Sequence, residues 1–483
     1  MWVYPPELTP SEGERLTEVV KDWTIAHGLA VRPPPTVIPN EADPSGILAT
    51  AAPVTLFPSP FPDVCFNQAV AVQKTYNELY ASISQNEDFL AQIVKDIGDS
   101  DEFIGELWKI HLRVKEEGYV QHKSLGLFRS DYMVHQDANG SVPQVKQVEF
   151  NTIASSFGGL STQTSLLHDA ARLASGIRQA FIEYGPSFTA HEKCALFLVQ
   201  GGERNVFDQR HLEYELQKSQ DPVIPVFRLP FSEILQHTSI ADGAGRQLLY
   251  KPPQLPAHTF EVAVIYMRSG YGPSDYPDQS AWEARYHLER SAAIKCPTVL
   301  TQVAGTKKVQ QVLATPETPS NPPILSRFLP GNSTGISELS STFTNIYPLD
   351  ETEAGLKARK IALDPELCKS YVLKPQREGG GNNVYRTAIP EFLKSVPEAH
   401  WTSYILMELI TPPPVRNVIL RNGKLEQGGV ICELGIYGTC IWDQQAKTVL
   451  HNEQAGYLLR TKGDKSEEGG VAAGFGCMDS VAL

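Results

Sequence analysis

The sequence predicts a mixed α/β and α+β fold, an antiparallel-sheet body that carries an inserted parallel α/β unit. Three observations predict it. Apolar residues recur at helical spacing over residues 66–117, then give way to strand-like runs. From about 193 to 304, short apolar runs alternate with amphipathic ones, and strand, helix and strand are completed within roughly 30 residues, as in a parallel unit. The last third repeats strand–loop–strand signals around glycine-rich turns.

Taken in order, Thr9-Pro10 reads as a helix cap with proline in the first turn, followed by Leu16, Val19, Val20 and Trp23 at helical spacing. The proline-rich residues 33–63 read as an irregular segment wrapped over a core. Residues 66–117 are expected to bury Val70, Val72, Leu79, Ile83, Leu90, Ile93, Val94, Ile97, Phe103, Ile104 and Leu107. Leu125–Val134 and Val145–Thr152 read as a hairpin about Asn139-Gly140, with a helix over Gln163–Glu183 after it. The inserted unit, 193–304, has expected strands at Cys194–Val199, Val223–Phe227, Gln247–Tyr250 and Val262–Met267. Its expected helices lie at Asp208–Lys218, near 232–237 and at Trp282–Lys295. The body is then 1–192 and 305–483. Strands are expected at Tyr371–Pro375, Tyr404–Leu409 and Gly429–Leu434, and a small, flexible tail at 469–474.

A chain of 483 residues has room for a large core and two to four domains at roughly 100–200 residues each. Lys and Arg number 42 against 55 Asp and Glu, a net charge of −13, which disfavours nucleic-acid and anionic-membrane partners. Seven scattered cysteines without a C-x-x-C argue against a disulfide framework and a structural zinc site. No secretory signal opens the chain, and no apolar run approaches the roughly 18 residues of a membrane span. A reduced, cytoplasmic protein is expected.

Three clusters carry chemistry. Lys374-Pro-Gln-Arg377-Glu378-Gly-Gly-Gly381-Asn382-Asn383-Val-Tyr385 combines a cation, a hard oxygen ligand and glycines whose N–H groups can cradle phosphate. It is neither a Walker A loop nor G-x-G-x-x-G, and by itself also fits a solvated hairpin turn. Glu149-Phe-Asn151 places a carboxylate and an amide on one face of a strand, suited to Mg²⁺ beside phosphates, and Ser156-Phe-Gly-Gly159 follows as a donor-rich turn. Arg129, Arg268, Lys307, Lys308, Arg460 and Lys462 stand beside small or hydroxyl residues and suit an anionic ligand. Gly331-Asn-Ser333-Thr-Gly335 matches G-x-S-x-G but lacks the strand that a nucleophile elbow requires, so Ser333 reads as a loop or helix-capping serine.

Joined in order along nearly the whole chain, these segments resemble eukaryotic glutathione synthetase, a permuted member of the ATP-grasp superfamily. The resemblance rests on Leu125-Gly-Leu-Phe-Arg129-Ser-Asp-Tyr-Met133, Val148-Glu-Phe-Asn151-Thr-Ile-Ala-Ser-Ser156 and Glu203-Arg-Asn205-Val-Phe-Asp-Gln209. It continues through Trp282-Glu-Ala-Arg285, Ala304-Gly-Thr-Lys307, the 374–383 run, Leu459-Arg460-Thr-Lys462 and Gly470-Val471-Ala472-Ala473-Gly474. It implies an ATP-grasp fold with a glycine-rich lid over about 346–428, and an Mg²⁺-dependent homodimer that joins γ-glutamylcysteine to glycine through an acyl phosphate.

The resemblance also implies roles. Glu149, Asn151 and Glu378 would hold Mg²⁺. Lys307 and Lys374 would bind ATP phosphates under a lid of Gly379, Gly380 and Asn383, with Tyr385 nearby. Met407 and Ile410 would flank the adenine, Glu433 would bind the ribose, and Lys462 would face the nucleotide. Arg129 would stabilise the acyl phosphate. Ser156, Glu203, Asn205, Gln209, Arg268 and Tyr271 would hold γ-glutamylcysteine. Arg460, Val471 and Ala472 would close over the glycine end. Ala154 stands where the family commonly has serine. The Val471-Ala472-Ala473 tripeptide looks like the glycine-using form of its loop, and the alternative is a related ligase that takes β-alanine or serine.

Overall fold

The computed structural model describes residues 4–35, 37–97, 100–137, 142–165, 169–218, 222–315, 324–378, 381–466, 471 and 476–483. Thr9 caps the helix Pro10–Ala26 in a capping box with Glu12, and Pro10 takes the first turn. The following segment is more ordered than its composition implied. Thr50–Ala51 pairs with Ala30–Val31, and Val54–Thr55 inserts between Val415–Arg421 and Cys477–Asp479 in the main sheet. Two-residue strands are too short to leave a period in the sequence.

The helical stretch is three helices, Asp63–Ser84, Glu87–Ile97 and Glu102–Glu117. Asn86 Oδ1 accepts the Phe89 N–H at 3.1 Å, and Asp101 Oδ1 accepts the Ile104 N–H at 3.2 Å; these side chains start the second and third helices. The expected apolar residues are buried, with Val70 half-buried. The Tyr80 ring stacks on Phe150 of the main sheet at 3.8 Å.

That sheet has seven strands in the order Val415–Arg421, Val54–Thr55, Cys477–Asp479, Thr448–Gly463, Lys424–Asp443, Lys123–His135 and Gln144–Asn151. It is antiparallel except where Cys477–Asp479 meets Val54–Thr55. The expected hairpin is its edge, although its turn at 138–141 lies outside the described residues. Gly429–Leu434 proves to be the middle of a 20-residue strand. The strand Thr448–Gly463 is not legible in the sequence, since burial along its first half is incomplete and Val449 and Leu450 are exposed.

A second sheet runs Val226–Pro230, Glu192–Val199, Phe260–Met267, Leu248–Tyr250, Thr238–Ile240, with Ile294–Cys296 also on Phe260–Met267. The first two pairings and the Ile294–Cys296 pairing are parallel, and the last two are antiparallel. The helix expected over Trp282–Lys295 is Gln279–Glu289 and stops before that strand; all three residues of Ile294–Cys296 are buried, a run too short to set either period. The strand expected at Val223–Phe227 lies at Val226–Pro230, and the expected helix over Gln163–Glu183 is described as Gly158–Ser165 and Asp169–Glu183, with 166–168 outside the described residues. A third, antiparallel sheet, Ile346–Pro348, Tyr404–Glu408, Tyr371–Pro375 and Val384–Tyr385, packs on its own core around Leu373, Leu393 and Leu406.

Ser333 opens the helix Ser333–Thr342, but Asn332 is the cap, accepting the Gly335 N–H at 2.9 Å. All seven cysteines are free and buried. Among the described residues no helix is long and apolar enough to cross a membrane.

Candidate active site

A cavity of about 820 Å³ opens where the three sheets converge. The parallel strands Glu192–Val199 and Phe260–Met267 aim their carboxyl ends at it and deliver Gln200, Glu203, Asn205, Arg268 and Tyr271, the usual ligand edge of a parallel sheet. The third sheet contributes Lys374, Tyr385 and Met407, with Glu378, Asn383 and Ile410 from its loops. The main sheet contributes Arg129, Glu149, Asn151, Glu433, Arg460 and Lys462; Ser156 and Val471 complete the wall.

Strand register brings the charges together. Arg129 pairs with Asn151 and Asp131 with Glu149, while Glu433 pairs with Arg460 across the next two strands. The Lys307 ammonium lies 3.2 Å from Glu149 Oε2 and 3.4 Å from Glu378 Oε1. Burial pushes the Glu149 carboxyl up, but Lys307, Lys374, Arg460 and Arg129 together outweigh it and hold the group well below the usual carboxylate range. Glu378 has fewer cations near it. Burial, with Glu149 adding to it against Lys307, pushes its carboxyl up to about 7. The Lys374 ammonium donates to Val148 O at 3.0 Å, and burial lowers its pKa.

The Ala154–Gly159 turn is built to present polar groups. Ala154 (φ 51°) and Phe157 (φ 72°) are left-handed. Arg268 clamps the turn, donating to Ser155 O at 2.9 Å and Ser156 Oγ at 2.9 Å. Asp208, reaching across from the helix Val206–Lys218, accepts the N–H groups of Phe157 (2.9 Å), Gly159 (2.7 Å) and Leu160 (3.2 Å) and so caps the helix Gly158–Ser165. Asp208→Asn would turn an amide N–H₂ toward these donors. It is expected to lower the unfolding free energy by about 1–3 kcal/mol in a urea titration, and an unchanged midpoint would contradict this role.

Two expected ligands lie back from the cavity wall. Gln209 is fully buried behind Glu203, donating to it at 2.6 Å and accepting from Arg228 at 2.6 Å, and so supports Glu203. Lys307 stands between the two glutamates. Gly379, Gly380 and Ala472 lie outside the described residues. Asp131 and Asp208, both central here, went unread. Asp131 had a signal, because it follows Arg129 by two on one strand and therefore shares its face.

Among the described residues no three His, Cys, Asp or Glu side chains gather as a metal site. The candidate donors are two carboxylates and an amide.

A family model of the eukaryotic glutathione synthase ATP-binding domain matches residues 10–483. The chain belongs to this family. It is 39% identical over 516 residues to the glutathione synthetase large chain of Schizosaccharomyces pombe, with 99% of each chain covered. It is 40% identical over 489 residues to glutathione synthetase of Rattus norvegicus, covering 97% of this chain and 96% of that one. A glutathione synthetase-like effector from Globodera pallida, solved in its apo form, superposes with a TM-score of 0.74 at 22% identity, over 99% of this chain and 98% of that one. That likeness shows the fold. The glutathione synthase family and the mixed sheets agree with the ATP-grasp fold class read from the sequence.

Proposed function

We propose that this protein is an ATP-dependent ligase that joins γ-glutamylcysteine to glycine, releasing glutathione, ADP and phosphate. The observation that carries it is the full-length match to glutathione synthetases, in a chain whose cavity gathers Glu149 and Glu378 with Arg129, Lys374, Arg460 and Lys462.

A carboxylate is a poor electrophile. Its oxygen attacks the γ-phosphorus of ATP, ADP leaves, and the resulting acyl phosphate is attacked by the glycine amine, which expels phosphate. Catalysis is then positioning and charge neutralisation. Arg129 binds the phosphoryl oxygens of the acyl phosphate. Lys307 and Lys374 bind the ATP phosphates. Gly379, Gly380, Asn383 and Tyr385 cover them and keep water from the acyl phosphate. Met407 and Ile410 pack on the adenine, Glu433 accepts from the ribose, and Lys462 faces the nucleotide. Ser156, Glu203, Asn205, Arg268 and Tyr271 hold γ-glutamylcysteine, with Gln209 behind Glu203. Arg460, Val471 and Ala472 meet glycine.

The donor set Glu149, Asn151 and Glu378 fits Mg²⁺. All three offer hard oxygens, and the carboxyl of Glu378, pushed up to about 7 by burial, is a group that a further cation would return to its charged form. When bound, Mg²⁺ neutralises phosphate charge. A cytoplasmic homodimer completes the reading.

The test is ADP release from ATP and γ-glutamylcysteine with glycine, β-alanine or serine. Glycine-dependent release with a product of glutathione mass is expected. Release driven by β-alanine or serine would move the acceptor assignment, and no release with any amine would overturn the function.

A further inference from the structure

Asp131 is fully buried, yet its two oxygens receive hydrogen bonds from three side chains. Arg129 Nε donates to Oδ1 at 2.6 Å and Nη2 to Oδ2 at 2.8 Å, a two-pronged pair; Nη1 goes to Ser156 O at 3.0 Å. Three of the five guanidinium donors are used in this way, which leaves two for a ligand in the cavity that Arg129 lines. Arg460 Nη2 donates to Oδ2 at 2.9 Å. Asn151 Nδ2 donates to Oδ2 at 3.0 Å and to Arg129 O at 3.1 Å.

The Asn151 contacts decide an orientation. Both amide hydrogens are used, so the oxygen is turned away from Asp131. Rotated by half a turn, that oxygen would face a carboxylate and a carbonyl, two acceptors with no proton between them. Asp131 thereby makes Asn151 present an oxygen, which is the atom a hard cation takes.

The opposite strand leaves room for this cluster. Gly435 pairs with Asp131, and a Cβ there would stand 2.8 Å from both Arg129 Cδ and Asp131 Oδ1. Its φ is not left-handed, so the backbone would accept alanine. The glycine is required by the Arg129–Asp131 pair beneath it and not by the turn of the chain.

We infer that Asp131 is the positioning residue of this site, one carboxylate that orients Arg129, Arg460 and Asn151 toward acyl phosphate, glycine and metal at once. The inference rests on the roles proposed above for those three residues. It predicts that phosphoryl-group stabilisation, glycine affinity and metal affinity fall together when Asp131 is disturbed, although the three contacts come from different strands.

The test begins with wild-type protein. If it shows no ADP release, the functional reading fails, and this is seen before any variant is compared. Asp131→Asn is then expected to lower kcat by about 100-fold, to raise KM for glycine by about tenfold, and to weaken Mn²⁺ binding to the resting enzyme by about tenfold in an EPR titration. ADP binding without metal should stay within about threefold of wild type, since Met407 and Ile410 are untouched. A purely structural aspartate would lower Tm while leaving kcat, KM for glycine and Mn²⁺ affinity per folded molecule unchanged, and that outcome would overturn the inference. Should Asp131→Asn not fold, Gly435→Ala displaces the same pair with every charge retained. It is expected to show the same joint loss, and normal kinetics with normal Mn²⁺ affinity in folded Gly435→Ala would equally overturn it.

Discussion

Glu378→Gln is expected to lower kcat by about 10³-fold while leaving the protein at least as stable as wild type. The two effects have opposite signs for one reason. Glu378 is a half-buried carboxyl beside a second carboxylate, Glu149, and shares Lys307 with it. Its charge is costly in the resting fold, and in the proposed reaction it is used only once ATP and metal are bound. Its folded-state value, about 7, lies above the ordinary carboxylate value of 4.5. Folding therefore favours the protonated form, and the stability that this supplies is fully present below the ordinary carboxylate pKa and is lost as pH rises toward 7. Glutamine imitates the protonated form and does not titrate. In metal-free buffer the stability advantage of the variant should therefore grow from pH 4.5 to 7. Thermal melts across that range, with ADP release at neutral pH, check both halves. A variant with near-normal turnover would remove Glu378 from the phosphate site.

Arg129 gives the second large effect, and the choice of replacement decides what is learned. Arg129→Lys keeps a buried cation beside Asp131 but loses the planar fork. It is expected to cost about 10²–10³ in kcat with a modest change in Tm. Arg129→Ala leaves the fully buried Asp131 with only Arg460 and Asn151, and should lose about 3–5 kcal/mol of stability besides its activity, because half of a buried ion pair remains. Urea unfolding separates the two variants. Equal stability in both would contradict the pairing of Arg129 with Asp131, and wild-type turnover in Arg129→Lys would contradict the role of the guanidinium.

Much of this was legible in the sequence, for physical reasons that differ from element to element. Glu149 and Asn151 share a face because strands alternate, and the helices 63–117 announce themselves because their buried residues follow one period. The strand Thr448–Gly463 left no such trace, because burial in its first half is incomplete and its partners lie on both sides. Asp131 was missed for a related reason. A buried aspartate is defined by the cations that pay its desolvation, and one of these, Arg460, is 329 residues away. Gln209 shows the reverse case. Its motif placed it near the substrate, yet two side-chain bonds, to Glu203 and Arg228, hold it behind the wall.

In the proposed reaction the γ-glutamylcysteine carboxylate is activated by phosphorylation before glycine attacks. The most direct test uses γ-glutamylcysteine labelled with ¹⁸O in its cysteinyl carboxylate, with ATP and glycine, and mass analysis of the phosphate released. An acyl phosphate intermediate places one ¹⁸O in each phosphate, carried over when the amine expels the acyl phosphate oxygen. Phosphate free of ¹⁸O, formed while glutathione accumulates, would contradict it.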